Sequence, residues 1–254
     1  MKNYLLIVLL TLICAKAHGQ TELFGKSEKR EIRKGWLINL NGTIDIPGGD
    51  MAKRFGISDR VGPAFYYKTS KNWLFGAKCD FIFGSDIHED SLMWNIKDRY
   101  GEFLTTNGTR TTIPQYERGY MIGLDAGKIF NFNPNQPDNG ILVLTSLGFI
   151  QHKINIYDAD AVVAQLKGDY LKGYDRLTNG LFYEQYVGYV YFSRSALANF
   201  HVGLDAVFAF TQGRRDYQFD LMRADNKQRL DMLFSLKVGW YIPIYKRKTE
   251  EIFY

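Results

Sequence analysis

The chain is 254 residues long, carries a formal net charge of +5 and contains two cysteines. The charge is too modest to imply a nucleic-acid partner when no nucleic-acid motif accompanies it, and two cysteines exclude a disulfide scaffold or a cysteine metal cluster. Aromatic residues make up 15% of the chain, which is high for a soluble enzyme and ordinary for a barrel with aromatic belts.

The N-terminus reads Met1-Lys2-Asn3, then an apolar run from Tyr4 to Ala15, then Ala17-His18-Gly19-Gln20. A basic start, a short apolar core and small residues at the cleavage positions predict a secretory signal peptide over residues 1–19, cleaved after Gly19. The apolar run is too short for a membrane-spanning helix. Ile13 before Cys14 does not fit a lipoprotein signal, so once the leader is removed Cys79 is the only cysteine. Residues 20–34 are polar and form a periplasmic lead-in.

From there the apolar residues recur with a period of two, the signature of strands. Strand one runs from Trp36 to Ile46, and Pro47-Gly48-Gly49-Asp50 ends it. Arg60–Thr69, Trp73–Gly84 and Arg118–Phe130 follow, then Ile141–Ile154, Gly180–Ser193 and Phe200–Thr211. The last, Arg229–Tyr245, is the most regular: Met232, Phe234, Leu236, Val238, Trp240, Ile242 and Ile244 alternate with a set that includes Asp231, Ser235, Lys237 and Gly239. A tilted membrane strand needs about 9–11 residues, so each run is long enough to cross. The connections near 47–59, 86–117, 155–179 and 212–228 are longer than the turn at Ser70-Lys71-Asn72 and those near 131–140 and 194–199. A short helix is expected between Ser91 and Ile96. Long loops alternating with short turns over an even number of strands predict an all-β fold, an eight-stranded antiparallel transmembrane barrel with up-and-down meander over residues 35–245. Residues 246–254 are read as a periplasmic tail, with Tyr245 or Tyr254 as the terminal aromatic of the assembly signal.

A soluble lipocalin-like barrel also alternates, with its apolar face inward. Here the other face is rich in glycine, at Gly76, Gly84, Gly123, Gly127, Gly148, Gly188, Gly203 and Gly239, with isolated charges. That suits a narrow lumen better than a face washed by water. The aromatics Trp36, Tyr67, Trp73, Tyr120, Phe200 and Trp240 lie towards strand ends, as interfacial belts do. Mean hydropathy is only −0.25, but alternating strands keep that average low. The leader, the alternating strands, Asn72-Trp73-Leu74-Phe75-Gly76 and the ending Gly239-Trp240-Tyr241-Ile242-Pro243-Ile244-Tyr245 together resemble small outer-membrane barrels of Bacteroidota, of the OmpA-type and PorT-like kinds. The resemblance implies an outer-membrane location and, for PorT-like members, a tie to type IX secretion.

By parity Lys78, Asp80, Asp125, Glu184, Asp205, Asp231, Lys237, His152 and His201 face the lumen. Buried charges must pair, so a salt-bridge plug is expected, with a proton or ion path as the sharper alternative. Ser146 and His152 lie roughly 20 Å apart along one strand, which excludes them as nucleophile and base. No catalytic residue, metal or cofactor is expected. A lipid-modifying enzyme and a narrow pore remain as alternatives to a non-enzymatic envelope protein. Arginines gather near the predicted outer end: Arg54, Arg60, Arg99, Arg110, Arg118, Arg176, Arg214, Arg215, Arg223 and Arg229. Of these, Arg60, Arg118, Arg214, Arg215 and Arg229 form a candidate rim for lipopolysaccharide phosphates, since a guanidinium pairs with phosphate as a fork. Apolar loop residues, among them Leu92, Met93, Trp94, Tyr170, Tyr174, Tyr217 and Phe219, suggest either a docking surface for an envelope protein or packing over the barrel mouth. The C-terminal tail is a second candidate contact for such a partner. Asp90-Ser91-Leu92 is similar to an O-glycosylation site of Bacteroidota envelope proteins.

Overall fold

The computed structural model describes residues 32–89, 91–158, 162–193 and 198–244. The expected signal peptide, most of the lead-in, Asp90, Tyr245 and the tail lie outside the described residues.

Eight long strands carry the fold: β1 (Gly35–Gly49), β2 (Ser58–Lys68), β3 (Trp73–Gly84), β4 (Gln115–Phe130), β5 (Gly140–Ile156), β6 (Thr178–Phe192), β7 (Asn199–Gly213) and β8 (Gln228–Ile244). Each pairs antiparallel with its sequence neighbours, and β8 returns to pair with β1. The result is the expected closed eight-stranded up-and-down barrel, and closure leaves no free edge. The seam is long, running from Trp36 opposite Ile244 to Gly49 opposite Asp231.

The proline expected to end strand one, Pro47, does not end it and lies inside β1, whereas Pro243 lies inside β8 near its terminus, as expected. A proline cannot donate to a ladder and is tolerated where a neighbouring strand is missing. On the β2 side the β1 ladder stops at Asp45 opposite Ser58, below Pro47. On the β7 side the β8 ladder stops at Trp240 opposite Phe200, short of Pro243. Each proline thus pairs on one side only. The expected helix near residues 91–96 is a single 3-10 turn, Trp94–Ile96. A two-residue ribbon pairs Phe103–Leu104 with Arg110–Thr111 in the same loop.

Alternation turns apolar residues outward on every strand. Leu40, Phe65, Phe75, Leu124, Leu147, Leu181, Leu204 and Leu236 are all exposed, Leu124 at 72% and Leu204 at 70%. An apolar surface of that extent marks contact with something other than water. Aromatic pairs gather near the short-turn end: Trp36 stacks on Phe65 at 4.9 Å and meets Tyr67 at 4.9 Å, and Tyr191 meets Phe200 at 5.4 Å. Towards the loop end Tyr120 meets Phe149 at 6.4 Å and Tyr116 meets Tyr157 at 6.5 Å.

The interior is layered and is not the uniformly polar, glycine-rich face that alternation predicts. At the loop end Ile82, Met121, Ile150, Phe182 and Leu233 point inward and merge with Met51, Phe55, Leu92, Met93, Leu166 and Tyr174 from the loops. At the other end Leu37, Tyr66, Leu74, Leu142, Tyr186 and Tyr241 form a second apolar layer. Charged side chains fill the space between. The glycines make room for the large groups: a Cβ on Gly188 or Gly203 would strike the Tyr186 hydroxyl, and one on Gly239 would strike the His201 ring.

Candidate functional site

The charged layer is built from strands on all sides of the barrel. Arg60 is central and only 1% exposed. Its Nε donates to Asp45 Oδ2 at 2.6 Å, and its Nη2 donates to Asp205 Oδ2 at 2.7 Å and to Ser235 Oγ at 3.1 Å. Lys237 Nζ donates to Glu184 Oε1 at 2.8 Å. Lys78 donates to Glu184 Oε2 and lies 3.0 Å from Asp80 Oδ2. Tyr66 donates its hydroxyl to Asp125 Oδ2 at 2.6 Å. Each of these charges faces an opposite charge or a hydroxyl, which is what a low-dielectric interior requires. By contrast, neither oxygen of the buried Glu117 carboxyl has a hydrogen-bond partner among the described residues.

The two histidines belong to different clusters. His152 Nε2 lies 3.0 Å from Asp231 Oδ2, which also accepts from the Thr211 hydroxyl, and the Phe55 ring meets the imidazole edge-on at 5.5 Å. His201 sits with Tyr186, whose hydroxyl is 2.8 Å from Nδ1, while Asn39 and Asn41 approach Nε2 at 3.2 and 3.1 Å. Thr211 and His152 both bind the same carboxylate, so the hydroxyl is not handed to the imidazole as a nucleophile would be. Ser146 is buried opposite Asp125 and Glu184 in register and is not among the partners of His152. Among the described residues no group of three or more His, Cys, Asp and Glu is placed to hold a metal ion.

All nine residues assigned to the lumen by parity are in the interior, each at most 3% exposed. The candidate rim divides. Arg60 is a correction: it lies inside the barrel, because β2 begins at Ser58 and the alternation that turns Val61 outward turns Arg60 inward. Arg215 is committed to a fork with Asp175, and Arg229 to Asp225. Arg214 is exposed and donates to Asn179 at 2.6 Å. Only Arg118 of the five stands on the outer wall. It faces Lys153 directly across β4 and β5, beside Phe83, Tyr116 and Tyr120. Parity could have added Asn39, Asn41, Asp45, Tyr66 and Ser235 to the interior set, since each shares a face with a residue already placed there.

The loops close over the mouth through a second set of ion pairs that no periodicity marks. Arg54 Nη1 donates to Thr178 Oγ1 at 3.0 Å, and its Nη2 donates to Asp225 Oδ2 at 3.3 Å. Arg176 Nε donates to Glu89 Oε2 at 2.8 Å and its Nη2 to Asp220 Oδ2 at 2.6 Å. Burial would raise the Asp225 carboxyl, but the hydrogen bond and charge of Arg229, with Arg54, hold it below its ordinary value of 3.8. Burial, with the like charge of Arg229, lowers the Arg54 guanidinium. Of the apolar loop residues, Leu92, Met93, Leu166 and Tyr174 are buried under this crown, whereas Trp94, Tyr170, Tyr217 and Met222 stay exposed.

No protein-family model and no curated protein matches the chain. Solved structures with a similar arrangement include Ail, the attachment invasion locus protein of Yersinia pestis, in complex with the heparin analogue sucrose octasulfate. It is 8% identical, with 82% of this chain and 98% of that chain covered and a TM-score of 0.44. Neisserial surface protein A is 8% identical over 83% of this chain and 97% of that chain, with a TM-score of 0.45. Outer-membrane protein OprG of Pseudomonas aeruginosa is 10% identical over 85% and 99%, with a TM-score of 0.36. These likenesses carry no argument about ligand or partner, and the fold rests on the strand pairing itself.

Proposed function

We propose that this chain is a non-enzymatic barrel of the bacterial outer membrane, exported by its leader, that acts through its loop crown as an envelope interaction protein. The observation that supports this most is the combination of an apolar outer face on every strand with an interior filled from end to end. A bilayer admits a sheet only when it is closed, because an unpaired edge is too costly there. Kinship with PorT-like barrels and a place in a secretion assembly belong to the same proposal and rest on the sequence features quoted above. So does an envelope partner at the loops or the C-terminal tail.

Two apolar layers and a layer of buried charges fill the narrow interior of an eight-stranded barrel, which speaks against the pore reading. The purified protein inserted into a planar bilayer should therefore give no steady conductance at neutral pH. A reproducible single-channel step would overturn the closed interior and restore the pore.

Lipopolysaccharide phosphate is the proposed lipid contact, now at Arg118 and Lys153 in place of the wider rim. Like charges directly opposite on a sheet repel, and an anionic headgroup between them would relieve this. Arg118→Glu combined with Lys153→Glu should lower co-purifying lipopolysaccharide severalfold relative to Arg214→Glu. Equal lipid content in the two variants would remove the contact.

A further inference from the structure

Over the barrel mouth lies a polar cleft of about 530 Å³, open to the loop side. Its cations are Lys53, Arg54, Arg176, Arg223, Lys227 and Arg229, against the carboxylates Asp50, Glu89 and Asp225. Cations outnumber carboxylates in this lining, and because Arg54, Arg176 and Arg229 are matched by Glu89, Asp225 and the neighbouring Asp220, the excess positive charge sits on the exposed Arg223 and Lys227. Arg54 and Arg176 are 6% and 3% exposed. Like charge from Arg229 adds to the strain on Arg54.

Arg176 is the decisive residue. Two of its nitrogens are matched to Glu89 and Asp220, but Nη1 is buried and has no hydrogen-bond partner among the described residues. A buried unsatisfied donor is uncommon and costs free energy unless something fills it. The backbone of Arg176 is also held at φ +52, left-handed for a residue with a Cβ. Such conformations persist where the surroundings impose them, often at binding sites. Four separate connections supply the cleft: Arg54 follows β1, Glu89 follows β3, Arg176 precedes β6, and Arg223 to Lys227 precede β8. Loops far apart in sequence have been brought together to place guanidiniums around one space.

We infer that this cleft is a binding site for a phosphate or sulfate ester, with the anionic group held by the unmatched Nη1 of Arg176 and by the exposed rim cations Arg223 and Lys227, and with Lys53 drawing it in. Guanidinium forks match tetrahedral oxyanions in geometry and in charge-assisted hydrogen bonding. The volume exceeds that of a bare ion and falls in the range of small-molecule sites, so the ligand is an ester with a body attached. This deepens the interaction reading above by naming a ligand class, and it does not depend on whether the barrel conducts.

The test uses the full mature chain folded in a polyoxyethylene detergent, which carries no phosphate. Titration calorimetry with glucose 6-phosphate should show saturable binding of one equivalent, with weaker binding of inorganic phosphate and none of glucose. Arg176→Gln should weaken glucose 6-phosphate binding about tenfold or more, the loss expected for one charged hydrogen-bonding group. Because Arg176→Gln also disturbs Glu89 and Asp220, the exposed pair Arg223→Gln with Lys227→Gln provides a second reading. It should keep the fold and still weaken binding severalfold, while Arg118→Gln on the outer wall leaves it unchanged. No saturable binding, or wild-type affinity in the rim double variant, overturns the site. Repeating the titration in lipid discs with and without lipopolysaccharide identifies the source of the anion. Reduced affinity in its presence assigns the site to lipid phosphate, and unchanged affinity assigns it to a soluble ester.

Discussion

Glu184→Leu should destabilise the barrel by roughly 3–5 kcal/mol, the cost of breaking a buried ion pair from one side. Glu184 is wholly buried and receives both Lys78 and Lys237, with Arg60 Nη1 at 3.8 Å. Removing it leaves two ammonium groups and a guanidinium to share Asp45, Asp80 and Asp205. Urea unfolding of the protein inserted in vesicles measures the loss. The double change Glu184→Leu with Lys78→Met should recover part of it, because an apolar pair of similar volume is often tolerated where a lone charge is not. A cost below about 1 kcal/mol, the range of exposed ion pairs, would mean that water reaches the layer, and the sealed interior would have to be abandoned.

The second large effect concerns the other face. Leu124 lies midway along β4, is 72% exposed, and stands between Ala77 on β3 and Leu147 on β5. In water Leu124→Arg would be close to neutral, as most surface changes are. In a bilayer an arginine at mid-depth on the lipid face costs about 2–4 kcal/mol. Unfolding measured in vesicles, against Leu104→Arg on the loop ribbon as control, separates the two cases. Leu104 is 58% exposed but belongs to a loop strand, so its change should matter little. Equal, small effects at both positions would mean that the outer face meets water.

Much of the barrel was legible in the sequence because its physics is periodic. A period of two assigns each side chain to one of two faces, and a slip of one residue exchanges them. Lys78, Asp205, Asp231 and Lys237 could therefore be assigned to the interior without coordinates. Arg60 was misplaced when its nearness to a loop was weighed above that same alternation. Pro47 suggests a strand end because proline interrupts a ladder, yet it sits where one neighbouring strand is absent, as Pro243 also does. The apolar layers at the two ends of the lumen escaped notice because Leu37, Ile82 and Leu233 fall on the face taken to be polar. The basic cleft was legible only as a gathering of arginines at the outer end, among them Arg54, Arg176, Arg223 and Arg229. Arg54, Glu89, Arg176 and Asp225 are spread over four connections, and no spacing rule links residues that meet only after the barrel has formed.

The wiring of Arg60 has a kinetic consequence. It reaches Asp205, 145 positions later, and Ser235, 175 positions later, while Ser235 reaches back to Asp45 across 190. These bonds join the first hairpin to the last, so they form only when the cylinder shuts. Distant partners make for slow folding. Interactions absent from the transition state act mainly by slowing the reverse step. The polar girdle therefore works as a latch: late to engage, selective for the register in which Ser235 and Lys237 point inward, and a reason for the assembled barrel to outlast what its equilibrium stability alone would allow.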